Sequence, residues 1–272
     1  MSHHTSAAAS IDPREVEFYH DLADTWWDRR GPLWPLHRLN ELRVAWIRDH
    51  LAKHFGRPPT VAKPLQGLSI LDVGCGGGIL AESMARLGAT VRGIDVVAKN
   101  IRVARLHARD SDLDVDYEEA AAEDLVARGD RYDVVLNMEV VEHVADFPGF
   151  LGACCDLVRP GGALFVSTIN RTPLAWLFAI VGAEYVLGWL PKGTHRWSQF
   201  RRPEDISSVL TKRGLAVQSE SGVRVNPFTR RFTLQRSLAV NFMQFATRGP
   251  ADGRGEQTTR RAAVAPGHPD ER

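Results

Sequence analysis

Short apolar runs alternate with stretches of helical spacing through the middle of this chain. Apolar, β-prone residues at 68–74, 90–95, 113–118, 132–138 and 162–169 read as strands. Between them, 78–87, 97–109 and 146–158 place apolar residues on one helical face. That alternation predicts an α/β fold, a doubly wound sheet with helices on both faces. A helix at 203–213, a strand at 215–221 and a strand pair drawn from 223–246 complete a seven-stranded, mostly parallel sheet. Ahead of it, residues 13–56 show helical patterns rich in Trp26, Trp27, Leu36, Leu39, Leu42, Trp46 and Ile47, and Pro58, Pro59 and Pro64 mark the boundary to the first strand. Residues 1–12 and 247–272 have too few large apolar side chains to form a core and predict disordered tails around one domain at 13–246.

Composition narrows the class. A chain of 272 residues with 44% apolar content can bury a full core, and a net charge of +1 makes no electrostatic case for nucleic acid. Cys75, Cys154 and Cys155 cannot all pair, so a reducing compartment is the simpler reading. The N-terminal residues lack the charged-then-apolar pattern of a secretory signal.

The chemistry concentrates where the first strand ends. Leu71-Asp72-Val73-Gly74-Cys75-Gly76-Gly77-Gly78 runs from a buried strand into a loop almost without side chains, and the loop opens a helix. Such a loop aims backbone N–H groups at a ligand beside the positive end of the helix. A dinucleotide fingerprint would need glycine at 79, where Ile79 stands. Asp72 followed by Gly74, Gly76 and Gly78 instead resembles the first motif of S-adenosylmethionine-dependent methyltransferases. Asp95 ends the second strand about twenty residues past the glycines, where a carboxylate can accept both ribose hydroxyls. The competing readings are a purely structural glycine turn and a nicotinamide site.

The fourth strand should also face the ligand, since ligands of open α/β sheets sit at the carboxyl ends of the strands. Met138 is placed there either as an apolar cover for an adenine ring or as ordinary core filler. Upstream, Glu123 and Asp124 are either acceptors for the adenine amino group, with Asp124 assigned to the site, or solvated loop acids. Glu139, Glu142 and His143 fall at i, i+3 and i+4, so a helical turn would project all three to one side, where they could hold a divalent metal, Mg²⁺ or Zn²⁺. The plainer alternative is a helix start with acids, His143 being a hydrogen-bonded core residue.

An insertion at 171–200 carries one more signal. From Pro173 to Leu190 the residues are nearly all apolar, with Glu184 the single charge and Trp176, Tyr185 and Trp189 interspersed. The length approaches a minimal membrane span, but the chain must return to the same sheet. An interfacial segment or hydrophobic lid flanked by Arg171, Lys192 and Arg196 fits better, against the alternative of a buried helix pair.

Taken together, Leu71–Glu82, Glu139-Val-Val-Glu142-His143, Trp26-Trp27-Asp28, Pro35–Asn40, Gly182–Leu187 and Pro191-Lys192-Gly193-Thr194-His195 resemble the ubiquinone-biosynthesis O-methyltransferase family over about 15–245. The resemblance implies a Rossmann-like class I methyltransferase with S-adenosylmethionine as cofactor. The implied acceptor is a catechol-type hydroxyl, on a polyprenyl benzenediol and on 3-demethylubiquinol. It further implies Arg43 as partner of the methionine carboxylate, beside Gly74, Asp95 and Met138, and a divalent metal at Glu139, Glu142 and His143. Because a phenol of pKa about 10 is mostly protonated at neutral pH, the acceptor needs activation. The candidates are a metal, His143 with Glu142, or His195. Implied partners are the polyprenyl substrate, a membrane surface through 173–190 and other ubiquinone-biosynthesis proteins. Implied locations are the cytoplasmic side of a bacterial inner membrane, or the matrix side of the mitochondrial one. The basic, proline-containing C-terminal extension departs from the family pattern. Other readings are a methyltransferase for a different small phenolic or lipid acceptor and a non-catalytic scaffold of a quinone-synthesis complex.

Overall fold

The computed structural model describes Arg14, Val16, Glu17, His20 and residues 23–58, 60–177, 197–226 and 228–250. Five strands form the parallel part of one sheet: β1 (Ser69–Val73), β2 (Thr90–Asp95), β3 (Val115–Glu119), β4 (Tyr132–Met138) and β5 (Val158–Ile169). β6 (Leu215–Asn226), β7 (Arg231–Gln235) and β8 (Asn241–Arg248) add antiparallel pairings, giving the order β3-β2-β1-β4-β5-β8-β6-β7. The central strands are buried on both faces, which is why β1 and β4 read as near-continuous apolar runs.

Helices cover both faces. α1 (Trp34–His54), α2 (Ile79–Arg86) and α3 (Ala98–Asp110) pack over one apolar layer built on Ile70, Val91, Val134 and Phe165. α4 (Ala122–Arg128), α5 (Phe147–Asp156) and α6 (Pro203–Lys212) pack over the other, built on Leu71, Ile94, Val135 and Leu164. Strand neighbours alternate between these layers, as the period of two requires.

Three features depart from the sequence expectation. The sheet has eight strands, because β6 runs on to Asn226 and folds back as β7 beyond the seven-stranded core. β8 continues through Arg248, with Thr247 on Ala163 and Arg248 on Leu215, so the domain reaches past residue 246. α4 is a crossover helix between β3 and β4 that the apolar pattern did not mark, being only 7 residues long. Parallel neighbours cannot be joined by a tight turn, so some such crossover is obligatory. Most of the insertion, 178–196, lies outside the described residues, and so does His195. Its start is a helical turn, Pro173–Ala175, whose N-terminus is capped by the Thr172 hydroxyl at 3.0 Å from Ala175 N. Among the described residues no helix is long and apolar enough to cross a membrane.

α1 matters most for the site, because it reaches from the bottom of the sheet to its carboxyl edge. Its lower half is fixed by aromatic packing: Trp46 meets the Phe165 ring edge-on at 5.5 Å, and Phe165 lies 4.8 Å from Phe245. His54 Nε2 lies 2.9 Å from Gly161 O at the far end. Phe165→Ala, at a fully buried position, is therefore expected to cost roughly 3–5 kcal/mol, read as a lower denaturation midpoint. A cost below about 1 kcal/mol would show that α1 is held by other contacts.

Candidate active site

β1, β2 and β4 end side by side, since Val73 pairs with Ile94 on one flank and with Asn137 on the other. A cavity of about 190 Å³ opens there, walled by the glycine loop, the starts of α2 and α4, the turn after β4 and the upper half of α1. Of the expected site residues, Arg43, Asp72, Gly74, Gly76, Asp95, Met138, Glu139 and His143 line it.

The glycine loop has two kinds of neighbour. Gly76 has φ +54°, and a Cβ there would collide with the indole of Trp26, which lies across the loop. Gly78, at φ +90°, begins α2 and leaves room for the Tyr117 hydroxyl; it does not line the cavity. Trp26 donates from Nε1 to Asn100 Oδ1 at 2.8 Å, and Trp27 donates from Nε1 to Gly77 O at 2.8 Å. Trp27 also stacks flat on His107, with ring centroids 3.3 Å apart, and His107 Nδ1 lies 2.7 Å from the buried Glu82 carboxylate. The N-terminal segment is thus a wall of the cavity, which strand and helix periodicity could not reveal.

Asp95 anchors the loop. One carboxylate oxygen accepts from Gly76 N at 2.9 Å, and the other from Val97 N at 2.8 Å and Asn100 Nδ2 at 3.3 Å. Burial raises its pKa, and these donors work against the rise. Asp72 is buried as well, and burial pushes its carboxyl up to about 7 against the nearby Arg43 charge.

Arg43 enters from α1 almost fully buried, and its Nη2 pairs with Glu139 Oε1 at 3.2 Å. The same Glu139 oxygen accepts from Ser167 Oγ at 2.6 Å. Glu139 itself has φ +62°, a left-handed conformation uncommon for a residue with a side chain. Four buried polar atoms on cavity-lining residues lack a hydrogen-bond partner among the described residues: Asn40 Oδ1, Arg43 Nε, Asp72 Oδ2 and Glu123 Oε2. Buried polar groups are nearly always paired, so one donor and three acceptors left open on the residues of one cavity point to a polar ligand.

Two expectations change here. The segment after β4 is a turn and not a helix, so Glu139, Glu142 and His143 do not share a face. Glu139 goes to Arg43 and Ser167, while Glu142 is buried away from the cavity lining and accepts from Thr168 Oγ1 at 2.7 Å. Among the described residues no three His, Cys, Asp or Glu side chains are gathered to hold a metal ion, so this arrangement does not fit the expected triad. Burial, with the Glu139 charge beside it, raises the Glu142 pKa, and the His143 imidazole partly offsets this. Asp124 also differs: its carboxylate turns back to accept from Ala121 N at 3.0 Å and caps α4, whereas Glu123 lines the cavity.

Comparison with known proteins gives a methyltransferase family. Residues 41–220 match a methyltransferase-domain family. The ubiquinone biosynthesis O-methyltransferase of Chelativorans sp. (strain BNC1) is 50% identical over 243 residues, covering 89% of this chain and 96% of that protein. That of Methylobacterium sp. (strain 4-46) is 50% identical over 242 residues, covering 89% and 97%. Among solved structures, magnesium protoporphyrin IX methyltransferase from Synechocystis PCC 6803 with bound SAH aligns with a TM-score of 0.62 at 20% identity, over 88% of this chain and 100% of that one. That likeness is one of fold.

The raised Asp72 pKa has a consequence for stability. Because the folded value of about 7 lies above the 3.8 of an unperturbed group, folding takes up a proton between these pH values and stability falls as pH rises through them. Asp72→Asn removes that loss. Its melting temperature relative to wild type is expected to be more favourable at pH 8 than at pH 5, by the equivalent of a few kcal/mol. An offset independent of pH, in calorimetric melts, would contradict the perturbed carboxyl.

Proposed function

The chain belongs to the ubiquinone biosynthesis O-methyltransferase family, enzymes that use S-adenosylmethionine, and on that footing we propose how its residues divide the work. The observation that carries the reading is the set of buried polar atoms, on residues lining one cavity, that have no partner among the described residues. Arg43 Nε takes the methionine carboxylate, and Asp72 Oδ2 takes the ammonium group. Glu123 Oε2 takes the adenine amino group, with Met138 and Phe150 against the ring. Asp95 spends three acceptor positions on the protein and, of the roughly four a carboxylate offers, keeps capacity for the ribose. Gly76 brings its backbone to the cofactor under the cover of Trp26.

Carboxylate binding gives Arg43 a second anionic partner besides Glu139. The bidentate geometry of a guanidinium favours the cofactor, so Glu139 is loosened toward the acceptor side as the cofactor seats. Methyl transfer then needs a phenolate in line with the sulfonium methyl. His143 lines the cavity and takes the phenolic proton; the phenolic oxygen forms the new C–O bond as the C–S bond breaks. The products are the methyl ether, S-adenosylhomocysteine and an imidazolium, which the nearby Glu142 carboxylate stabilises. Holding oxygen and methyl in line supplies much of the remaining acceleration.

The acceptor is a polyprenyl phenol of the ubiquinone pathway, and its long tail places it in a bilayer. The apolar insertion from Pro173 onward receives that tail at the membrane surface, which makes the enzyme peripheral to the membrane. Support comes from Leu174, Trp176 and Leu177, all exposed at the start of the insertion.

A labelled methyl-transfer assay on short-tailed demethylated ubiquinol tests the chemistry. His143→Ala is expected to lower kcat by roughly 10²–10⁴, with S-adenosylmethionine affinity little changed. Full activity would remove it as the base, and turnover that collapses on chelation would bring Glu139, Glu142 and His143 together in the substrate complex. Calorimetry separates the two neighbouring acids. Glu123→Gln should weaken cofactor binding by about 1.5–3 kcal/mol. Asp124→Ala should cost about 1 kcal/mol of stability and leave binding unchanged. The reverse pattern would return Asp124 to the site.

A further inference from the structure

Between Glu220 and Asp252 the sequence has no acidic residue and five arginines: Arg224, Arg230, Arg231, Arg236 and Arg248. The first four are exposed on the β6–β7 hairpin and the connector that follows it. At the turn, Phe228 is 95% exposed, the most exposed large apolar side chain among the described residues. The turn is nonetheless built. Asn226 Oδ1 accepts from Phe228 N at 2.9 Å and Thr229 N at 3.0 Å, and the Arg230 guanidinium lies 4.7 Å over the Trp34 ring. Phe232 packs edge-on to the same indole at 6.4 Å. Among the described residues nothing covers this ring, so the ordered turn that holds it among arginines has no packing role there.

Its position gives it another. Val223 is tied to the Asn241 side chain by two hydrogen bonds of 2.6 and 3.0 Å, and Asn241 pairs with Ile169, the last residue of β5. Three further residues, Arg224–Asn226, carry the turn roughly 10 Å beyond the carboxyl edge of the sheet at about 3.3 Å per residue. The insertion leaves the same edge. Asn170 N donates to Val240 O at 2.9 Å and Asn170 Nδ2 to Leu238 O at 2.7 Å, and the Thr172 hydroxyl donates to Ala239 O, so its root is bonded to the connector between β7 and β8. Leu174, Trp176 and Leu177, at 43%, 44% and 48% exposure, follow at once. Near the hairpin on α1, Arg38 and Glu41 form an exposed pair, 3.8 Å apart, that offsets its own charge.

We infer that the β6–β7 hairpin is a second membrane-docking element that seats Phe228 in the interface of an anionic bilayer, with Arg224, Arg231 and Arg236 on the headgroups. The inference rests on the reading that the acceptor is bilayer-borne. Basic side chains flanking a protruding aromatic match an anionic lipid surface in both charge and polarity. With the insertion as the other contact, two points on one edge would set the cavity mouth toward the bilayer.

The full chain is tested by co-sedimentation with vesicles of phosphatidylcholine alone or with added phosphatidylglycerol. Arg224→Glu combined with Arg231→Glu is expected to lower partitioning onto the anionic vesicles by at least about tenfold, each surface charge counting for about 1 kcal/mol. Turnover of a short-tailed quinol should be unchanged. Independently, Phe228→Cys can carry an environment-sensitive dye at that one position, because Cys75, Cys154 and Cys155 are buried. Its emission should rise on anionic vesicles and little on neutral ones. A silent dye while the wild type sediments would overturn the hairpin and leave the insertion as the anchor. Wild type that sediments with neither vesicle type would overturn the membrane reading as well. An equal dye response to both would overturn the anionic surface.

Discussion

The Asp95 carboxylate is the point at which the cavity is tied together. It fastens the backbone of Gly76, the first turn of α3 through Val97, and Asn100, which in turn holds the Trp26 indole. A buried carboxylate with these donors fixes the glycine loop to the start of α3, beside the Trp27 Nε1 to Gly77 O bond that ties the N-terminal segment to the same loop. The glycine loop keeps its shape because Asp95 draws it from below and Trp26 lies on it from above. Asp95 therefore holds the shape of the cavity, and replacing it disturbs the loop itself.

A second buried charge sets the other end of the cavity. Arg43 brings a guanidinium between Glu139 and Asp72, and the neighbouring acids offset the lowering of its own pKa by burial. Removing either partner of such a pair leaves a buried charge without compensation, which costs more than the pair contributes. α1 must then be rigid, and the Trp46, Phe165 and Phe245 cluster at its lower half makes it so.

Much of this is legible in the chain. The five parallel strands follow from their apolar runs, and Ile79 in place of glycine separates the cofactor classes by spacing alone. The departures have local physical causes. Glu139, Glu142 and His143 align only on a helical turn, and the left-handed backbone at Glu139 breaks that alignment. Glu123 and Asp124 are adjacent, and which one faces the cavity is set by the phase of a 7-residue helix whose start needs Asp124 as a cap. Trp26 over Gly76 is a contact between segments far apart in sequence, invisible to any periodicity. The Trp26-Trp27-Asp28 motif signals the family but not this packing.

The contacts that close the cavity span long stretches of chain: Trp26 to Asn100 is 74 residues, and Arg43 to Glu139 is 96. Closing such loops costs entropy that only the finished contacts return, and neither contact belongs to a strand pairing of the sheet. A molecule can then hold its full sheet and helices while the cavity wall is still open. Circular dichroism would count such a molecule as folded. Where either closure is incomplete, a titration of binding sites, not a spectrum, measures the fraction of a preparation able to bind cofactor.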